Sequence, residues 1–180
     1  MQSVRILLLF LFFSCPVAFS EECTTPTLGA GLLKTLPETS AVRLSCTFAK
    51  PLILGASISA NEGGLNPGSR VAKKYGAVKP YPNLAKVGQK ALATLAHVEL
   101  EKKISESSVV VGIDLFFWDT TVQSCNDVDK SILKIIDLCK KYDKPLIVGD
   151  IPKIQHPTAE PVVEECRTKA NTVLETACTV

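Results

Sequence analysis

Pro51-Leu-Ile-Leu-Gly-Ala-Ser57 is the stretch on which the fold turns. Its apolar residues run without alternation and stop at a glycine, the pattern of a strand buried on both faces. Ser108-Val-Val-Val-Gly112 and Pro145-Leu-Ile-Val-Gly149 repeat that form further along the chain. Helical periods lie between and beyond them. Leu92, Leu95, Ala96, Leu100 and Lys103 predict one helix over 89–104, and Ile132, Ile135, Ile136 and Cys139 predict an amphipathic helix over 127–142. Residues 158–177 read as a closing helix with Pro161 in its first turn. Lesser elements are a short helix over 68–75, a short strand over 84–87, and a continuation of the second strand through 113–119. The Gly-, Asn- and Pro-rich residues 61–68 read as a loop.

Short buried strands alternating with helices describe right-handed crossovers and a parallel sheet, hence an α/β fold. Ligands of such sheets sit beyond the carboxyl ends of the strands. Ser57, Gly88, Asp114 and Asp150 are the residues this reading puts there.

The first twenty residues stand apart from the fold. Arg5 precedes the apolar run from Ile6 to Phe13, and Ala18-Phe19-Ser20 offers small residues for cleavage. This is a secretory signal, too short in its apolar part to span a bilayer. Phe12-Phe13-Ser14-Cys15 also resembles a lipoprotein box, but simple cleavage and a secreted or periplasmic product are the preferred reading over a lipid anchor on Cys15. Residues 21–50 form a lead-in segment with a short helix over 28–36, and 51–180 form one domain. The net charge of +2 is scattered, which excludes a nucleic-acid surface, and no further apolar stretch is long enough for a membrane span.

Seven cysteines are present, with Cys15 inside the signal. The even set left (Cys23, Cys46, Cys125, Cys139, Cys166 and Cys178) favours disulfide staples in an exported chain. Metal binding is disfavoured because no C-x-x-C or C-x-H cluster occurs.

Three blocks then resemble a known family. Leu54-Gly55-Ala56-Ser57-Ile58-Ser59 is similar to the G-D-S-[LI] block of the SGNH/GDSL hydrolases, a superfamily of esterases and lipases. Leu84-Ala-Lys-Val-Gly88 is similar to the second block, and Val109-Val-Val-Gly112-Ile113-Asp114 to the third, G-x-N-D. The resemblance covers 51–180. It implies a flavodoxin-like three-layer α/β/α fold, Ser57 as nucleophile, and Gly88 as a backbone donor to the oxyanion. It implies a small-molecule, lipid or glycan ester as substrate, and no cofactor. Ala56 departs from the block's Asp. Asp114 stands where the family has a donating Asn, and an ionised carboxylate there would repel an oxyanion. Asp114 must therefore be protonated, turned away or serving another purpose, and Asp119 is a further candidate for a site role.

A serine hydroxyl needs a histidine base. The family's D-x-x-H block is not found. Of the two histidines, His97 lies mid-helix, and His156 lies in the loop Gln155-His-Pro157 with Lys153 three residues before it. The base is thus His156 or a residue absent from the chain. Val180 comes before any fifth strand, so the resemblance implies that the last strand and catalytic loop are missing, through truncation, a frameshift or a natural short form. Two functions stay open: a secreted serine esterase, and a non-catalytic exported domain that keeps the fold and a remnant pocket. Against both stand plainer roles. Ser57 can cap a turn, Gly88 can be a turn glycine, and Asp114 and Asp150 can cap helices. Asp114, Asp119 and Asp150 are carboxylates whose spacing alone does not make a cation site.

Overall fold

A computed structural model of the chain describes residues 46–60, 70, 73–74, 81–121, 125–153 and 163–177. The signal, Cys15, the 28–36 helix, His156 and Pro161 fall outside the described residues. Three strands, β1 (Pro51–Ile53), β2 (Val109–Gly112) and β3 (Leu146–Val148), form a parallel sheet in the order β1-β2-β3. Pro51 is in register with Val109, and Val110 with Leu146. Between and after them come α1 (Ala91–Leu95), α2 (Leu100–Glu106), α3 (Val128–Lys141) and α4 (Glu164–Ala177). The α/β parallel sheet expected from the apolar runs is present.

The sheet separates two apolar clusters. On one side Leu52, Leu54 and Val110 pack with Leu100, Ile104, Ile132, Ile135 and Leu174 of the helices. On the other, Ile53, Val109 and Val111 pack with Phe48 and the half-buried Tyr81 and Ile147. Strands clothed on both faces cannot alternate polar and apolar residues, which is why β1 and β2 are unbroken apolar runs.

The expected strand over 84–87 is reduced to a parallel bridge between Ile53 and Asn83. Ile53 donates its N–H to Pro82 O (3.0 Å) and accepts from Leu84 N (2.9 Å), and one further bond, Lys86 N to Gly55 O, follows before the turn at Gly88. This bridge has a topological consequence. The chain leaves β1 for its outer side, touches at Asn83, then returns across β1 to reach β2. The direction of winding reverses between β1 and β2, and the crevice beyond their carboxyl ends is the switch point where ligands of open α/β sheets bind.

Other expectations are corrected. The helix predicted over 89–104 breaks into α1 and α2 at residues 96–99. A continuous helix with Ala91 and Thr94 facing the core would next turn Val98, Glu101 and Lys102 inward. The break resets the phase so that Leu100 and Ile104 are buried, and Val98 is left 97% exposed. Residues 113–119 do not extend β2. They coil through bonds such as Leu115 N to Gly112 O into a 3-10 turn, Phe117–Thr120. β3 is half-buried rather than buried, because among the described residues it is the sheet's edge.

Cys125 and Cys166 form a disulfide that ties the start of α3 to α4, and Cys46 is also disulfide-bonded. Cys139 departs from the expected set of staples. It is a free thiol inside the α3 core, where burial pushes its pKa up to about 12. Its place on the apolar stripe of α3 explains it as a small core residue.

Candidate functional site

β1 delivers the chain to the switch point. Leu54 N bonds Val111 O (2.9 Å), and Gly55 then takes φ +131°, open to glycine and strained for any other residue. A Cβ on Gly55 would also collide with Asp114 Oδ1 and Ser59 Oγ. Gly55→Ala is therefore expected to cost about 2 kcal/mol in urea unfolding; an unchanged midpoint would refute the strain. Past Gly55 the chain makes a tight turn over 57–60, closed by Ala60 N on Ala56 O at 2.8 Å. Ser57 sits half-buried on this turn, and its neighbour Ile58 is exposed.

Asp114, two residues past β2, reaches back into this turn. It is 8% exposed, and both its carboxylate oxygens are occupied. Oδ1 accepts from Ala56 N (3.1 Å) and Ser59 Oγ (2.5 Å), and Oδ2 from Ile58 N (2.8 Å) and Ser59 N (3.4 Å). All four partners are donors, which suits an acceptor-only group. Of the open alternatives for Asp114, the structure supplies another purpose: it holds the Ser57 turn. A carboxylate so engaged is an acceptor and offers no donor to an oxyanion. Of the four amides from Ala56 to Ser59, only that of Ser57 is not drawn onto it.

The segment after Asn83 flanks the Ser57 turn from the outer side of β1. Asn83 Nδ2 donates to Ser59 O (3.1 Å) while its Oδ1 accepts from Ala85 N (2.9 Å), so one side chain ties both loops. Lys86 N bonds Gly55 O (3.2 Å), which brings this segment alongside the end of β1. Two residues on, Gly88 turns at φ +67° and is exposed, with open space where a Cβ would stand. Val87 beside it is exposed, as is Ile58 beside Ser57.

α1 starts directly after this turn. Its N-cap residue, Lys90, makes no side-chain cap. The cap comes from Asp119, whose Oδ2 accepts from Ala91 N at 2.7 Å across 28 residues of sequence. Burial raises the Asp119 pKa from 3.8 to about 6, against the lowering pull of the Ala91 amide and of Lys90.

Asp150 lies at the carboxyl end of β3 and is exposed. The next residue, Ile151, is held by Asn171 through both its N–H (2.9 Å) and its carbonyl (3.1 Å). His97 lies in the break between α1 and α2, where its Nδ1 accepts from Glu99 N (3.2 Å), a local structural role. Among the described residues no three His, Cys, Asp or Glu side chains gather as metal ligands, and no helix is long and apolar enough to cross a membrane. Ser59 and Asn83 were not singled out by the sequence. Ser59 is two residues past Ser57, but nothing local marks it as a partner of a carboxylate 55 residues away.

The sequence matches no family profile and no curated protein. Among solved structures, the fold is similar to that of the psychrotrophic esterase EstA from Pseudoalteromonas sp., in a crystal structure inhibited by monoethylphosphonate. The TM-score is 0.50 at 14% identity, over 72% of this chain and 73% of that one. At that identity the likeness speaks for the fold.

Proposed function

We propose that this chain is an exported serine ester hydrolase of the SGNH/GDSL type, with Ser57 as its nucleophile. The observation that carries the reading is the Ser57 turn: it follows β1 directly, at the switch point of a parallel sheet, with its own amide not drawn onto Asp114. The esterase-like fold supports it. In the proposed reaction Ser57 Oγ attacks the ester carbonyl carbon as a base takes its proton. The amides of Ser57 and Gly88 receive the developing oxyanion, the alcohol leaves with a proton, and water then hydrolyses the acyl-enzyme. His156 is the histidine proposed as base. The exposed Ile58 and Val87 suit a small ester with an apolar portion. Export rests on a cleaved signal over 1–20 and is supported by the disulfides.

One observation favours a second reading, a non-catalytic exported domain with a remnant pocket. Asp114 presents an engaged carboxylate where the resembling family has a donor. A fluorophosphonate probe separates the two. Covalent labelling that maps to Ser57 and disappears in Ser57→Ala is the result expected of the hydrolase. Folded wild-type protein that takes up no probe would leave the non-catalytic domain.

A further inference from the structure

We infer that Asp114 is the positioning residue of the Ser57 turn, drawing the amides on either side of Ser57 onto one carboxylate so that the Ser57 amide is left for the substrate. This rests on the hydrolase reading and gives that site a part the resemblance does not supply.

The geometry is specific. The bond from Ile58 holds the peptide that follows Ser57, the bond from Ala56 holds the 55–56 peptide, and the 56–57 peptide between them is held through its carbonyl by Ala60 N. The Ser59 amide and hydroxyl complete the set, so the carboxylate fills the inside of the turn as an anion would fill a nest of amides. Gly55 makes room for it, since the Asp114 oxygen occupies the space a side chain there would need. Asn83 then holds the same turn from the outer side of β1, through the Ser59 carbonyl. A hydroxyl that must meet the face of a carbonyl carbon at the angle addition requires needs its backbone fixed to a fraction of an ångström, because misplacement by about 1 Å costs on the order of a hundredfold in rate. The hydrogen bonds of Asp114 go to the turn's amides and to the Ser59 hydroxyl, so its effect passes through the turn.

The test compares the fluorophosphonate reaction of wild type, Asp114→Asn and Ser59→Ala. Asparagine keeps the shape but puts an NH2 where two of the four donors need an acceptor. Ser59→Ala removes one donor and leaves the three amides held. The inactivation rate constant is expected to fall roughly a hundredfold in Asp114→Asn, with the probe's apparent affinity within about twofold of wild type. Ser59→Ala should stay within roughly tenfold. A merely structural role would move melting temperature and leave the rate constant of the folded protein alone, so an unchanged rate constant in folded Asp114→Asn overturns the inference. Amide exchange in the wild type is the second measurement and needs no variant to fold. The amides of Ile58 and Ser59 should be protected and that of Ser57 should exchange faster, and equal exchange across the turn overturns the inference. Wild-type protein that does not react with the probe while showing that exchange pattern refutes the hydrolase reading and leaves the clamp standing.

Discussion

Asp114→Ala is expected to lower the melting temperature by roughly 10–20 °C. The truncation removes the acceptor of three backbone amides and one hydroxyl in a buried turn. A buried donor left without a partner costs about 1–3 kcal/mol, and the Ser59 hydroxyl can rotate to relieve itself where the amides cannot. The three amides then set a loss of about 4–5 kcal/mol, a large part of the total stability of an ordinary domain. The carboxylate also joins the turn after β1 to the end of β2, so its loss frees two segments that are 55 to 58 residues apart in sequence. Ser59→Ala removes a single donor and should cost about 1 kcal/mol. Thermal melts followed by circular dichroism decide the matter. A loss for Asp114→Ala no greater than that for Ser59→Ala would show that the amides find other partners.

That clamp marks the boundary of what the chain reveals on inspection. β1, β2 and α3 are legible because their signals are local: an unbroken apolar run for a strand covered on both faces, a 3.6-residue stripe for a helix lying on one. The placement of Ser57 and Asp114 at one end of the sheet follows from those same runs, each residue standing just past a strand of known direction. What joins them does not follow. A carboxylate at position 114 reads alike as a ligand, a helix cap or an oxyanion's neighbour until its four donors are in place around it. The division of α1 from α2 was hidden for a different reason. Leu95 does pack half-buried against the core, but Leu92 is exposed while Ala91 and Thr94 are buried, and hydrophobicity alone does not register that choice. Cys139 shows the same limit, since an even cysteine count cannot tell a staple from a core thiol.

Asp119 should make the protein more stable in mild acid than at neutral pH as far as this one group is concerned. The residue is 3% exposed, and burial raises its pKa from 3.8 to about 6. A raised carboxyl pKa means that the folded state holds the proton more tightly than the unfolded chain. The resulting stability is fully present below about pH 4, falls as pH rises, and is lost above about pH 6. The slope inside that window is up to about 1.4 kcal/mol per pH unit, and the whole difference is about 3 kcal/mol. The opposing pull of Lys90 and the Ala91 amide is already contained in the raised value. Asp119→Asn keeps an oxygen for Ala91 N and removes the charge that burial penalises. The variant is expected to match wild type at pH 4 and to exceed it by about 2–3 kcal/mol at pH 7.5, measured as urea unfolding across the range. A constant difference at all pH values would mean that Asp119 titrates in the folded protein as it does in the unfolded one. A variant less stable than wild type at pH 7.5 would mean that the charge at the start of α1 outweighs its burial. A carboxylate retained at such a cost is better explained by the place it holds than by stability, for it fixes the first amide of the helix that opens just past Gly88.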